Sequence, residues 1–376
     1  MTLTIVLMSL LVLLVGLLLA ATPRLMPPTE CFAVTVPPSA QQDPRIKGYK
    51  RTYALFIIGI SAFCALGQAL YLLRIMGDGP VSEEVTLKAS FVISAATLVP
   101  IVAGFALMLA YRSRVRALKQ AEGWMALAQQ ATTIIGEEVP KPISLAWDLL
   151  FVVPVLAMTV FALAMYDRFP DQIPMNSDFS GNTTTYVPKS LGSVLFPAIV
   201  VGYMGLIFTL CHWFTIISKR PTDPAAPATS ALAYGRFART QSQLMLAGGL
   251  LISAAIGCAF YLSALQIVSL GAAATITMVT VTLFVAVMAI IAMKMGQSGA
   301  RLAAELRESD TLARDDDSFW ALGTFYFNRD DPSIVVPKRF GVGWTVNCAN
   351  PLAWLAVAAV VLVTVVFILM VNKAVS

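Results

Sequence analysis

The chain has 376 residues, of which 58% are hydrophobic and only 12% are charged, and its mean hydropathy is +0.77. These values lie outside the range of soluble globular domains and are typical of membrane proteins. The formal net charge is +5, a small excess that follows the loop pattern described below. Composition and charge therefore exclude a pair of soluble domains and argue against nucleic-acid binding.

Eight apolar stretches follow one another along the chain, each close to the ~20 residues that a helix needs to cross a bilayer. They lie at 3–20, 53–73, 89–111, 149–166, 190–217, 243–264, 270–293 and 351–371. None of them contains Asp, Glu, Lys or Arg. We predict an all-α transmembrane helix bundle of about eight spans, with seven spans in residues 1–293 and the last in 351–376.

The basic residues predict the orientation of this bundle. Of the 26 Lys and Arg, 21 fall in the first, third, fifth and seventh connections, and only four fall in the second, fourth and sixth. Loops rich in Lys and Arg stay on the cytoplasmic side of a membrane. We therefore expect a multi-pass protein of the cytoplasmic membrane with both termini outside.

The first stretch has two interpretations. Residues 1–21 lack the basic start of a signal peptide, and Leu19-Ala20-Ala21 is nevertheless a tolerable cleavage context. We expect an uncleaved span.

The connection between the fourth and fifth spans is organised and, on this topology, extracellular. Three prolines and a glycine impose turns on residues 166–190, and Asn and Asp side chains there can bond back to the chain. The loop fits a recognition lid, a Ca²⁺-holding loop or a rigid cap that ties two helices together. The candidate ligand or recognition residues are Asp171, Asn176, Asp178, Asn182 and Lys189.

The seventh connection, residues 294–350, predicts a small cytoplasmic domain. Thr324 to Asn328 and Ile334 to Val336 are rich in aromatic or β-branched residues and flank an Arg-Asp-Asp-Pro turn, so we expect a short β-hairpin before the last span. Its aromatic residues need a surface to cover, which is either the end of the bundle or the lipid headgroups. The interface residues we single out are Trp320, Tyr326, Asn328, Lys338, Arg339 and Trp344.

Catalytic chemistry is hard to find in this chain. One histidine excludes a His-rich metal site, and neither a GxSxG motif nor a phosphate-cradling glycine loop is present. His212 lies at the end of the fifth span beside Trp213, which predicts an interfacial position. The five cysteines form no ligand spacing, so we expect reduced thiols and no metal or cofactor.

Two of the loops resemble known families. Pro170, Ile173, Pro174 and Gly181, followed by Lys189-Ser190, resemble the membrane domain of unknown function found in SdpI-type immunity proteins, over about 150–220. That family commonly has a His where this chain has Asn176. The stretch from Trp320 through Lys338-Arg339-Phe340-Gly341 to Trp344 looks like a second small domain of unknown function that is often joined to the first.

These resemblances imply a bacterial membrane protein connected with toxin immunity or signalling. We therefore expect a non-catalytic protein with an extracellular recognition loop, where a peptide or protein would bind, and with the lipid bilayer as its other partner. Transport of a small or amphipathic solute is the alternative, because Pro100, Pro154 and Pro197 interrupt three spans. A membrane-embedded enzyme is the third interpretation.

Overall fold

The structure is a computed structural model that describes residues 2–75, 83–126, 139–178, 181–304, 312 and 314–375. Its helices are α1 (Thr2–Leu25), α2 (Pro44–Ile75), α3 (Glu83–Ala121), α4 (Val152–Ala164), α5 (Leu191–Ile217), α6 (Pro227–Ala264), α7 (Leu270–Met295), α8 (Ala300–Ala304) and α9 (Pro351–Val375). Its strands are β1 (Glu30–Cys31), β2 (Val34–Thr35), β3 (Gln172–Ser177), β4 (Thr183–Pro188), β5 (Trp320–Ala321), β6 (Phe325–Tyr326), β7 (Val335–Pro337) and β8 (Trp344–Val346).

Eight of these helices, all except α8, are long and apolar enough to cross a membrane once α4 is counted together with the 3₁₀ turn before it. This confirms the predicted all-α bundle. The protein is a multi-pass membrane protein.

The helices form two groups that share α7. One group contains α1, α2 and α3, and the other contains α4, α5, α6 and α9, while α7 packs against both α1 and α6. The short turn between α6 and α7 makes them an antiparallel pair. Helix α9 packs on α5, where Phe367 stacks on Tyr203 with ring centroids 3.9 Å apart.

A β-hairpin formed by β3 and β4 covers one end of the bundle, which we call the hairpin face. The strands are antiparallel, with Ile173 opposite Val187 and a bulge near Asn176. Ile173 and Val187 are buried together with Phe169 against Tyr261 and other residues of α5 and α6. The hairpin is therefore packed on α4, α5 and α6.

The opposite end of the bundle carries residues 314–350, which we call the C-terminal segment. It contains two small hairpins, β5 with β6 and β7 with β8, connected by a parallel bridge between Tyr326 and Asn347. The predicted pairing of 324–328 with 334–336 is wrong, because each of these strands pairs with a neighbour outside that interval. The short β1–β2 ribbon after α1 lies beside this segment.

The fourth span begins earlier than predicted. A 3₁₀ turn at Leu145–Phe151 precedes α4, so Asp148 is part of the spanning helix and Pro154 lies in the first turn of α4, where its missing N–H costs little. Helix α3 continues beyond the apolar stretch to Ala121. The rest of the third connection at 127–138, and residues 305–311 of the seventh, lie outside the described residues.

Candidate functional site

On the hairpin face, two of the predicted recognition residues are used to build the turn. The Asp178 carboxylate accepts hydrogen bonds from the backbone and side-chain nitrogens of Asn182 at 2.8 and 3.2 Å. The backbone N–H of Asp178 donates to the Asn182 carbonyl at 2.9 Å, and that of Gly181 donates to the Asp178 carbonyl at 3.0 Å. These bonds tie Asp178, at the end of one strand, to Gly181 and Asn182, which precede the other.

The other three predicted residues lie nearer the base of the hairpin. Lys189 donates to the Phe169 carbonyl at 3.1 Å and lies 5.4 Å from the centre of the Tyr166 ring. Asp171 has a fully solvated carboxylate 3.8 Å from the Lys189 ammonium, and Asn176 points outward from the bulge. The five residues therefore share one exposed surface without converging on a single point.

On the opposite face, Arg339 is the centre of a buried charge cluster. Its side chain is 3% exposed and forms ion pairs with Asp316 at 3.1 Å and with Asp317. It also donates to the carbonyl of Ala33 and the hydroxyl of Thr35, both on the β1–β2 ribbon, and approaches Glu30 at 3.6 Å. Arg339 thereby attaches the C-terminal segment to the connection between α1 and α2.

Helix α3 supplies the second half of this cluster. Lys119 bridges Asp315 and Asp317, at 2.5 and 2.8 Å. About two turns earlier on the same helix, Arg112 is buried. It donates to the carbonyl of Ala33 and, at 3.3 Å, to that of Trp320. The basic residues that follow the third span therefore hold the C-terminal segment.

Burial and the nearby cations together shift the pKa values of two acidic members of the cluster in opposite directions. Desolvation raises the pKa of Glu30 to about 7, and the attraction of Arg339 only partly offsets it. Burial would also raise the pKa of Asp317, but Arg339 and Lys119 together hold it well below its usual range. Glu30 is therefore the member of this cluster whose charge changes near neutral pH.

Tyr326, Asn328 and Asp331 form a second buried network inside the segment. The Tyr326 hydroxyl donates to Asp331 at 2.8 Å and accepts from the Asn328 amide at 3.2 Å. Lys219, at the end of α5, donates to the same Asp331 carboxylate at 2.5 Å. Two residues predicted to lie at an interface thus connect the segment to α5.

Trp344 and Lys338 lie where the β7–β8 hairpin contacts α6 and α7. The Trp344 ring centre is 6.2 Å from that of Phe237 on α6, and both pack with Met295. Gln297, just after α7, accepts from the Gly343 N–H at 3.0 Å and donates to its carbonyl at 2.7 Å, and it also reaches the Lys338 carbonyl at 3.4 Å. These contacts place the β7–β8 hairpin on the end of the bundle, one of the two surfaces that the sequence leaves open.

A polar cavity lies between the segment and the bundle. It consists of adjoining lobes of about 110 and 50 Å³, both bordered by Glu30, Ser298, Asp316 and Arg339. Prolines of the first and fifth connections form its apolar walls. Among the described residues, no group of three or more His, Cys, Asp or Glu is placed to hold a metal ion.

Sequence reasoning missed one buried pair. His212 is 0% exposed and packs inside the protein, and its Nδ1 lies 3.0 Å from both carboxylate oxygens of Asp148. Its Nε2 has no hydrogen-bond partner in the described part of the chain. Asp148 lies one residue before the predicted fourth span. The signal that could have revealed the pair is the helical periodicity of residues 145–151, which makes Asp148 part of the helix.

Comparison with known proteins gives two short matches. Residues 153–201, which include α4, the hairpin and the start of α5, match a domain of unknown function (DUF1648). Residues 329–354, which include β7, β8 and the start of α9, match a family of unknown function (DUF5808). No curated protein and no solved structure matches the chain. The hairpin and the part of the C-terminal segment from residue 329 onward thus each fall in a region similar to a family of unknown function.

Proposed function

We propose that the protein is a non-catalytic membrane sensor of the signalling or immunity type. In this proposal the hairpin recognises a peptide or protein outside the cell, and the C-terminal segment is the output on the cytoplasmic side. The alternating distribution of Lys and Arg supports this orientation. The resemblance of the hairpin region to SdpI-type immunity proteins supports the choice of a secreted peptide or protein as the ligand class.

One observation carries the proposal: helix α6 contacts the hairpin with one end and the C-terminal segment with the other. Tyr261 and Ala264 pack in the cluster that contains Phe169 and Ile173 of the hairpin region. Tyr234 and Phe237 pack with Trp344 of the segment.

The length of α6 makes these two contacts a connection across the membrane. Tyr234 and Tyr261 are 27 positions apart, which is about 40 Å along a helix and more than the ~30 Å of hydrocarbon. A single rigid element therefore touches both surfaces, and a shift at the hairpin has a direct physical path to the segment.

The experiment disturbs the hairpin end of α6 and measures exchange at the other end. Tyr261→Ala removes a ring that contacts Phe161 and Phe169, with centroid distances of 5.4 and 6.1 Å. We expect faster backbone hydrogen exchange in residues 335–346 as well as in the hairpin, with exchange in α2 unchanged. Phe63→Ala, at a ring 78% exposed on α2, is the control and should change neither. A Tyr261→Ala effect confined to residues 169–188 would contradict the proposal.

Transport is the second candidate, and the His212–Asp148 pair is the observation that favours it. Ionisable groups inside a membrane are costly and commonly mark ion or proton paths. Vesicles containing the protein and an entrapped pH dye would test this under an imposed pH gradient. Proton flux in the wild type that is lost in Asp148→Asn would support transport, and the absence of flux in the wild type would remove it.

A further inference from the structure

The outward side of strand β6 is apolar, the reverse of the pattern expected in water. Side chains alternate along a strand, and the exposed ones are normally polar. Here Tyr326 and Asn328 are buried, whereas Phe325 and Phe327 are 46% and 49% exposed. The preceding turn exposes Leu322 by 55%. We call Leu322, Phe325 and Phe327 the apolar edge.

The backbone conformation of the turn is a second reason to regard the exposure of Leu322 as unusual. Leu322 has φ of +52°, in the left-handed region that Gly and Asn occupy most readily. A turn facing water would favour a small or polar residue at this position. The chain instead holds a large aliphatic side chain there, which indicates that the side chain has a contact to make.

Both ends of the apolar edge are attached where helices leave the membrane. At one end, the Trp320 carbonyl accepts from Arg112, the residue that directly follows the apolar stretch of α3. At the other end, the Tyr326 carbonyl accepts from the Cys348 N–H at 2.8 Å, three residues before α9 begins. Both ends of the edge are thus held near the ends of the apolar stretches of α3 and α9.

The elements that hold this edge also carry exposed basic and amphipathic side chains. Arg114 and Arg116 are exposed on α3 just beyond Arg112, and Arg329 is exposed two residues after Phe327, next to the exposed Asp330. Trp354, in the first turn of α9, is exposed and donates its indole N–H to the Cys348 carbonyl at 3.0 Å. Aromatic rings and cations at this depth are typical of residues that lie among lipid headgroups.

We propose that the apolar edge inserts into the headgroup layer and that Arg114, Arg116 and Arg329 bind the phosphates of anionic phospholipids there. A lipid surface is favoured over a protein partner because the edge continues into the lipid-facing side of α9, where Leu352 and Leu355 are exposed. The C-terminal segment is then held on one side by the bundle and on the other by the bilayer. This contact does not depend on recognition by the hairpin.

Hydrogen exchange of the full-length protein in nanodiscs tests the proposal. The probes are nanodiscs of phosphatidylcholine alone and of phosphatidylcholine mixed with phosphatidylglycerol. We expect residues 320–328 to exchange about tenfold more slowly in the mixed nanodiscs. The variant with Phe325→Asp and Phe327→Asp should exchange faster than the wild type at residues 320–328 in both kinds of nanodisc. The variant with Arg114→Gln and Arg116→Gln should exchange in the mixed nanodiscs at the rate that the wild type shows in phosphatidylcholine alone.

Two measurements keep the result interpretable. Thermal unfolding in detergent checks that the variants fold. We expect wild-type stability, because all four substituted residues are exposed. Ile267→Asp, at an exposed position in the turn between α6 and α7 on the hairpin face, is the control and should leave residues 320–328 unchanged. Equal exchange in the two lipids would overturn the anionic-lipid contact. Protection that survives the double Asp variant, or that appears only when cytosol is added, would also overturn it.

Discussion

At the scale of single residues, the guanidinium of Arg339 faces carboxylates from its own segment and oxygens from the connection between α1 and α2. A planar fork of donors can serve several acceptors at once, which an ammonium cannot do. The attachment of the segment therefore depends on the shape of this side chain as well as on its charge.

This leads to a first prediction, for Arg339→Lys. We expect the variant to lose about 2–4 kcal/mol of unfolding free energy, because buried carboxylates and a buried hydroxyl are left with fewer donors. Lys338→Arg, at the neighbouring and less buried position, is the control and should change stability by less than about 0.5 kcal/mol. Thermal and denaturant unfolding in detergent would measure both, and equal stabilities would show that charge alone is sufficient.

The second prediction concerns pH and Glu30. Because burial raises the pKa of this carboxyl from 4.5 to about 7, the folded state binds its proton more tightly than the unfolded state. Its contribution to stability is thus full below pH 4.5 and is lost as pH rises towards 7, by up to about 3 kcal/mol. Asp317 acts oppositely, but its contribution changes only in more acidic solution.

Unfolding of the wild type and Glu30→Gln at pH 5 and pH 8 would measure this effect. We expect the wild type to lose stability between these values and the variant to lose much less, so that the variant is the more stable of the two at pH 8. Glu84→Gln, at an exposed carboxyl on α3, is a suitable control. Parallel pH profiles for wild type and Glu30→Gln would contradict the assignment.

Single residues also show where sequence reasoning stops. The buried pair of His212 and Asp148 depends on a 3₁₀ turn that extends the fourth helix towards the chain start, and hydropathy alone places Asp148 in a loop. Glu30 and Arg339 are more than 300 positions apart, and no local pattern relates them. Their contact arises because two connections of the chain pack against each other, and periodicity and motifs in a single sequence do not predict such packing.

At the scale of elements, the position of the β3–β4 hairpin depends on two glycines. Gly181, in the hairpin tip, lies so close to Gly271 at the start of α7 that a Cβ on Gly271 would be 2.4 Å from its Cα. Gly181 also has φ of +91°, which favours glycine. Close backbone approach of this kind holds the hairpin against α7.

We therefore predict that Gly271→Val lifts the hairpin tip. Backbone hydrogen exchange in residues 172–188 should become faster, with little change in the C-terminal half of α3. Gly67→Val is the matched control, since no atom would meet a Cβ there. Unchanged exchange in the hairpin of Gly271→Val would mean that the two backbones are not in contact.

A fourth prediction concerns the β7–β8 hairpin and its contact with α6. Trp344→Ala should lower stability by about 1–3 kcal/mol, less than for a fully buried ring, while membrane insertion is unaffected. Phe325→Ala, at an exposed ring of the same segment, should cost little in detergent. Full stability of Trp344→Ala would mean that lipid contact alone holds this hairpin.

Element types were more predictable than element partners. Eight apolar stretches without charges are sufficient to predict eight spanning helices, because hydrocarbon admits few alternatives to a helix. The strands at 325–326 and 335–337 were also found near their true positions. Their pairing was not, since strands of two or three residues have too little pattern to define a register.

At the scale of the whole molecule, two helix groups share α7, and two surface elements lie at opposite ends of α6. The five recognition candidates on the hairpin face and the buried cluster around Arg339 are separated by the full thickness of the bundle. A sensor needs such an arrangement, with one face for the ligand and another for the output. The arrangement can act as a sensor only if the hairpin face lies outside the cell and the C-terminal segment lies in the cytoplasm.

Cysteine labelling of intact cells with a membrane-impermeant reagent measures that orientation most directly. In a background without the five native cysteines, we expect Thr185→Cys, exposed on the hairpin, to be labelled from outside. Ser318→Cys, exposed in the C-terminal segment, should be labelled only after the cells are permeabilised. Labelling of Ser318→Cys in intact cells, or protection of Thr185→Cys, would contradict an outer recognition surface joined by α6 to a cytoplasmic output.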